Sequence, residues 1–306
     1  MTKLRILLIG KTGQVGTELE RLLPALGDVF AYGRNDLDLT KPSAVRSAIR
    51  ERQPDVIVNA AAYTAVDQAE KEEPLARTIN AEAPGVMAEE ARNQGALLVH
   101  YSTDYVFDGL KATAYVESDQ TNPLSAYGRT KLAGEELIRA SGANHLIFRT
   151  EWVYGRRGKN FLLTILRLAA ERDELRIVRD QIGAPTWCRA IAEGTRDALR
   201  KLLGESGDRL AEVSGTYHMT ANGSTSWFGF AEEIVRIGRE AKADWIGAAT
   251  SGRAMRAQRV VPISAADYPL PALRPANSVL SNARLERTFG VRLADWKDQL
   301  NEVFSG

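Results

Sequence analysis

The stretch "LLIGKTGQVG", Leu7 to Gly16, admits two nucleotide chemistries. Its "GKT" is how a phosphate-binding P-loop ends, while Gly10, Gly13 and Gly16 have the spacing of a dinucleotide-binding turn. A P-loop requires a glycine five residues before the one that precedes the lysine, and Arg5 stands there. The triphosphate reading fails. What remains is a mostly apolar run, Leu4 to Ile9, leading through the glycines into Glu18 to Leu23, which has helical spacing. This is the order strand, tight turn, helix. Such a turn aims the free N–H groups and the positive dipole end of a helix at a pyrophosphate, and its glycines let backbone approach backbone.

The rest of the first half repeats that order. Residues 28–33 ("DVFAYG") read as a strand, 42–53 as a helix and 55–62 ("DVIVNAAA") as a strand. Then follow a helix over 82–93, a strand over 96–101, a helix over 125–140 and a strand over 145–148. Alternation of this kind predicts an α/β fold with a doubly wound parallel sheet, Rossmann-like, and a dinucleotide-binding domain over residues 1–150. Beyond Arg149 the alternation loosens into a helix over 161–171, a loop "DQIGAPTW" (180–187) and a proline-rich run "YPLPALRP" (268–275). Residues 151–306 are expected to form mainly a smaller substrate-binding lobe, partly interleaved, with segments returning to the first domain.

Composition limits the function classes. Forty basic and thirty-nine acidic residues in 306 leave a net charge of +1, which argues against nucleic acid and against a membrane surface. The single cysteine, Cys188, excludes an internal disulfide and fits a reducing compartment. The Met1 start lacks a signal-peptide profile, so a cytoplasmic location is expected. His100, His145 and His218 lack metal-ligand spacing and read as structural; no metal site is expected.

Chemistry collects at a strand end. "ALLVHYSTDYVFDG" (96–109) closes on Ser102, Thr103 and Asp104, where doubly wound folds bind ligands. Tyr127 follows in "NPLSAYGRTKLAGEEL", with Lys131 four residues on and Ser125 suited to a helix start. One helical turn aligns the pair. An ammonium beside a phenol favours phenolate and makes the tyrosine a usable proton donor and acceptor.

The glycines together with Thr103, Tyr127 and Lys131 resemble the extended short-chain dehydrogenase/reductase family. "VNAAAYTAVDQAE", "HYSTDYVFDG", "YGRTKLAGE", "FRTEWVYG", "DQIGAPT" and "YPLPALRPANS" sharpen the likeness to its dTDP-4-dehydrorhamnose reductases. The resemblance implies an oxidoreductase of carbohydrate biosynthesis that reduces the 4-keto group of dTDP-6-deoxy-L-lyxo-4-hexulose with a reduced nicotinamide. It implies Tyr127 as proton donor, Lys131 on the nicotinamide ribose and Thr103 hydrogen-bonded to the reacting oxygen, with Ser102 the competing hydroxyl. The cofactor is expected along Gly10, Thr12, Gly13, Gln14, Val15 and Gly16, along Asn59, Ala60, Ala61 and Ala62, and on Tyr127 and Lys131. Thr103, Asp104, Tyr105, Trp152 and Arg274 are expected at the nucleotide-sugar substrate, with Arg274 on its pyrophosphate and Trp152 and Tyr154 as either walls of the sugar or packing.

At the end of the second predicted strand, Tyr32-Gly33-Arg34 puts a guanidinium where a 2′-phosphate would arrive, so NADPH is expected over NADH, with NADH possible. Asp36 and Asp38 follow and could bind ribose instead; Asp38-Leu39 is better placed to line the adenine. Some family members bind magnesium through acidic residues after "GAPT"; Arg189 stands near that position here and would repel the metal, leaving a monomer or a homodimer without a metal bridge. Two alternatives stay open: a reductase of another nucleotide-linked 4-keto sugar, and a non-catalytic nucleotide-binding regulatory subunit, which would not need Thr103, Tyr127 and Lys131.

Overall fold

The computed structural model describes residues 3–204, 209–241 and 243–305. Strand β1 (Leu4–Ile9), helix α1 (Gln14–Leu22), β2 (Gly27–Tyr32), α2 (Pro42–Arg52) and β3 (Val56–Asn59) open the chain. Short helices α3 (Val66–Ala69) and α4 (Glu73–Arg77) lead through a π-helical turn, Thr78–Glu82, into α5 (Ala83–Gln94). Then come β4 (Leu97–Thr103), α6 (Ala126–Ser141) and β5 (His145–Thr150).

These five strands and a sixth form one parallel sheet. The sixth, β10, belongs to the second half, which contains β6 (Val153–Tyr154), α7 (Phe161–Glu171), β7 (Glu174–Val178), β8 (Ile182–Gly183), β9 (Thr186–Trp187), α8 (Cys188–Gly204), α9 (Leu210–Val213) and β10 (Gly215–His218). The sheet order is β10-β5-β4-β3-β1-β2, and every pairing is parallel. β1 sits between β2 and β3, so the winding direction reverses there, at the carboxyl ends of β1 and β3, the place where doubly wound sheets bind their ligands.

The central strands are apolar at nearly every position because both faces are covered. Ile6, Leu8, Val56, Val58, Leu97 and Val99 face Leu19 of α1 and Ile191 and Leu199 of α8. Leu7, Ile9, Ile57 and Leu98 face Val45 and Ile49 of α2, Met87 of α5 and Ile138 of α6. A second core gathers Tyr154, Leu162, Trp187, Phe230, Trp296 and Leu300. Helix α8, from the second half, thus lies against α1 and seals one face of the sheet. Among the described residues no helix is long and apolar enough to cross a membrane.

The segment expected as a loop, 180–187, is corrected: Ile182–Gly183 pairs antiparallel with β11 (Thr225–Ser226), and Thr186–Trp187 pairs parallel with Val153–Tyr154. A two-residue strand is too short to carry an alternating pattern, so it leaves no periodic signal.

Candidate active site

The glycine turn is shaped by close approach. Gly10 has φ +95°, and its N–H donates to Tyr32 O at 2.8 Å, tying β1 to β2. A Cβ on Gly10 would stand 2.6 Å from Ala61 N, so the turn lies directly on the end of β3. Gly16 packs its Cα against the Gly10 carbonyl and likewise leaves no room for a side chain. At the start of α1, the cap residue Gly13 makes no side-chain hydrogen bond, which leaves the first-turn N–H groups available to an anion. Thr12 is exposed beside them, and Val15 packs into both large cores. Gln14 is held from the second half: Asn160 Nδ2 donates to its Oε1 at 2.9 Å.

After β2 the charges sort themselves. Asp36 pairs with Lys11 at 2.9 Å and accepts from Gly33 N at 2.8 Å, which holds its carboxyl below the usual range. Asp38 accepts from Thr40 Oγ1 at 2.7 Å and from Thr40 N at 3.0 Å, closing its own turn. Both carboxylates offered by the sequence as ribose ligands are therefore engaged. Leu39 packs half-buried on the core beneath α2. Arg34 is exposed and makes no hydrogen bond or ion pair among the described residues. An anion arriving there meets an uncommitted guanidinium.

The ends of β4 and α6 bring the reactive groups together. Ser125 Oγ caps α6, accepting from Gly128 N at 3.2 Å, a contact that typically contributes about 1 kcal/mol. Gly128 in turn fits against the Tyr105 carbonyl, where a side chain would collide. Tyr127 is thereby brought against Thr103, whose hydroxyl donates to Asp104 Oδ1 at 2.9 Å and accepts from Tyr105 N at 3.2 Å. The Tyr105 ring stands edge-on to the Tyr127 ring, 5.5 Å between centroids. Burial raises the Tyr127 phenol, the Thr103 contact lowers it, and the Asp104 charge raises it again; the net shift is upward. Burial also pushes Asp104 up to about 6, against hydrogen bonds from Ser278 and Thr103.

Lys131 departs from expectation. The sequence spacing puts its ammonium beside the phenol, but Nζ donates to Tyr101 O at 2.6 Å and lies 3.1 Å from His100 Nε2. The i, i+4 spacing aligns the two residues on α6, yet the long lysine stem reaches the strand beneath. There burial lowers it to about 8. His100, read from the sequence as merely structural, is in contact with the site; His145 bonds to Ala143 O and His218 packs edge-on to Phe107. Asn59 Nδ2 meets His100 Nδ1 at 3.0 Å, and Ala60, Ala61 and Ala62 line the adjacent strand end.

In the second half, Trp152 stacks on Trp227 at 3.5 Å with φ +45°, and Tyr154 is wholly buried against Phe230. Tyr154 is thus core, not a wall of the sugar. Arg274 is bidentate on Asp67, at 3.1 and 2.9 Å. Arg189 pairs with Glu193 at 3.0 Å. Among the described residues no three His, Cys, Asp or Glu side chains gather as metal ligands.

Sequence reasoning missed Asp67, His100 and Glu151. Glu151 follows β5, beside the Asp104 end of β4, and neither carboxylate oxygen has a hydrogen-bond partner among the described residues. Burial, with the Asp104 charge adding, keeps it protonated well above the ordinary range. No local pattern marks these residues; only the register Thr103↔Thr150 makes Asp104 and Glu151 neighbours.

Comparison with known proteins agrees over the whole chain. The family model described as RmlD substrate binding domain matches residues 4–306. A dTDP-4-dehydrorhamnose reductase of Burkholderia thailandensis is 50% identical over 294 residues, 96% of each chain. The crystal structure of a dTDP-4-dehydrorhamnose reductase from Clostridium acetobutylicum superposes with TM-score 0.84 at 38% identity, covering 97% of each chain. That of the Bacillus anthracis dTDP-4-dehydrorhamnose reductase in complex with NADP gives TM-score 0.84 at 34% identity, covering 99% of each.

Proposed function

The chain belongs to the RmlD substrate binding domain family, and from that membership we infer an NADPH-dependent dTDP-4-dehydrorhamnose reductase. It reduces the 4-keto group of dTDP-6-deoxy-L-lyxo-4-hexulose to give dTDP-L-rhamnose. The observation that carries the reading is the Tyr127–Thr103–Asp104 cluster at the end of β4, on the same carboxyl edge of the sheet as the Gly10 turn, with β3 between them.

The residues fit a reduced dinucleotide. The Gly10 turn leaves no Cβ between it and Ala61, α1 presents free N–H groups, and Arg34 is uncommitted. When bound, NADPH supplies a hydride to C4. Gly10, Thr12, Gly13, Gln14, Val15 and Gly16 would hold its pyrophosphate, Arg34 the 2′-phosphate, Asp38 and Leu39 the adenosine side, and Ala60 to Ala62 the path between.

Tyr127 donates its hydroxyl proton to the C4 oxygen, so that the carbonyl becomes an alcohol. Thr103 hydrogen-bonds the same oxygen while its own position is fixed by Asp104 and Tyr105 N. Asp104, Tyr105, Trp152 and Arg274 would orient the nucleotide sugar. Lys131 would hold the nicotinamide ribose and favour the phenolate once its charge lies near Tyr127. Residues 1–150 would carry the cofactor and 151–306 mainly the substrate, with β10 and α8 returning to the sheet. A cytoplasmic monomer or homodimer fits this chemistry.

The assay is direct: purified protein, NADPH and the dTDP-4-keto-6-deoxy-L-sugar, followed by loss of reduced-nicotinamide absorbance. Cofactor binding without turnover would favour a regulatory subunit. Turnover only with a different nucleotide-linked 4-keto sugar would move the substrate assignment.

A further inference from the structure

Asn59, His100 and Lys131 form a hydrogen-bond chain in which the protons can be counted. The Asn59 amide is oriented by a donor that cannot turn round: Ala61 N donates to Oδ1 at 3.1 Å. Nδ2, which only donates, therefore faces His100 Nδ1 at 3.0 Å, and Nδ1 must accept. Burial first, then the neighbouring Lys131, keeps the His100 imidazole far below its ordinary range, so the ring is neutral. Its single proton consequently sits on Nε2.

That N–H lies 3.1 Å from Lys131 Nζ. An ammonium has donors only, so two hydrogens would oppose each other. An amine accepts from Nε2–H through its lone pair and still donates to Tyr101 O at 2.6 Å. All four groups are satisfied only when Lys131 is uncharged. The other group facing Lys131 is Glu135, also on α6, which favours the ammonium. Its carboxylate is already taken by Arg149, at 2.9 and 2.7 Å, and by Arg139 at 3.0 Å. Tyr127, one turn earlier on α6, faces Thr103.

We propose that Asn59 and His100 favour the amine form of Lys131 in the cofactor-free site, and that NADPH binding moves Lys131 off His100, restores its ammonium and draws a pH-dependent fraction of a proton from solvent onto Nζ. The inference rests on the reading above, which puts a cofactor ribose within reach of Lys131. Ribose hydroxyls accept from an ammonium, and moving off His100 removes the donor that opposed the charge. No covalent bond changes. His100 is a positioning residue: beside the burial that already disfavours the ammonium, its Nε2–H opposes a charged Lys131 through the contact at 3.1 Å.

The test is calorimetric titration of NADPH into the protein at about pH 8.5 in two buffers of different ionisation enthalpy. At that pH the 2′-phosphate is already fully ionised and takes up nothing. With Lys131 near 8, an uptake of about 0.7 proton per NADPH is expected. His100→Gln, whose amide oxygen can accept from an ammonium, should lower the uptake measurably below the wild-type value, burial alone keeping the remainder.

Should that variant fold poorly, the wild type decides by NMR. The lysine Cε resonance that moves on adding NADPH should titrate near pH 8 in the free protein and stay that of an ammonium in the complex. An ammonium through about pH 10 in the free protein, no uptake in the wild type, or equal uptake in His100→Gln overturns this proposal and leaves the cofactor reading intact. Absence of any NADPH binding overturns both.

Discussion

Arg274 closes both arms of its guanidinium on the Asp67 carboxylate, at 3.1 and 2.9 Å, across 207 residues of chain. A fork already matched by a carboxylate must share or exchange it to meet a pyrophosphate. Arg274→Ala is therefore expected to raise KM for the nucleotide sugar on the order of 10-fold with a smaller effect on kcat, while Asp67→Asn, freeing the fork, lowers KM. Steady-state kinetics on both variants checks this; KM unmoved by either would make the pair purely structural.

Tyr127→Phe removes the proton donor and keeps the ring. Turnover should fall about 100-fold or more while NADPH still binds, as read by single-turnover rates and cofactor titration. Near-normal turnover would assign the proton to another group. Lys131→Met should lower turnover and weaken cofactor binding together.

Arg34 is the uncommitted cation after β2, whereas Lys11 is paired with Asp36. Arg34→Ala should remove most of the NADPH preference, roughly 10-fold to 150-fold in affinity for a charge-assisted contact of about 1.5 to 3 kcal/mol, and spare NADH turnover. The comparison is kcat/KM for both cofactors in wild type and variant. An unchanged ratio means that the 2′-phosphate is read elsewhere.

Asp104 loses its proton near pH 6 in the fold and near the ordinary aspartate value when unfolded. Between those values the folded state holds the extra proton, so stability is full below the unfolded value and declines as pH rises through 6. Above that, the buried carboxylate is a net cost. Asp104→Asn should accordingly raise unfolding stability by on the order of 2 kcal/mol at about pH 8 and by little at about pH 4, while slowing catalysis through Thr103. Denaturant titrations at the two pH values give the answer; a gain independent of pH would contradict it.

Arg189, which the resemblance puts near an expected magnesium-ligand position, pairs instead with Glu193 at 3.0 Å. Chelator should leave the oligomeric state unchanged, as measured by light scattering, and chelator-induced dissociation would reverse this expectation.

The residues that decide the fold are legible because their physics is local. Gly10 and Gly16 stand where any Cβ would strike backbone, Ser125 is a helix cap, and the unbroken apolar runs Ile6 to Ile9 and Val56 to Val58 mark strands covered on both faces. Helix Phe161–Glu171 is readable residue for residue because its own Asn160 caps it and its apolar face repeats every turn. Thr103 and Tyr127 are legible as types at a strand end and a helix start.

Other features depend on which segments meet. Gly215–His218 becomes the sixth strand only because β5 offers it a free edge, and a four-residue run carries no sign of its partner. Arg274 could equally have faced solvent; the return of its loop onto α3 supplies Asp67. Lys131 lies one turn from Tyr127 in sequence, which determines the face of α6 it occupies. Where its nitrogen goes is settled by the strand packed below, since a long side chain takes the nearest buried acceptor, here Tyr101 O beside His100, and contacts of that kind arise only when distant parts of the chain are brought together.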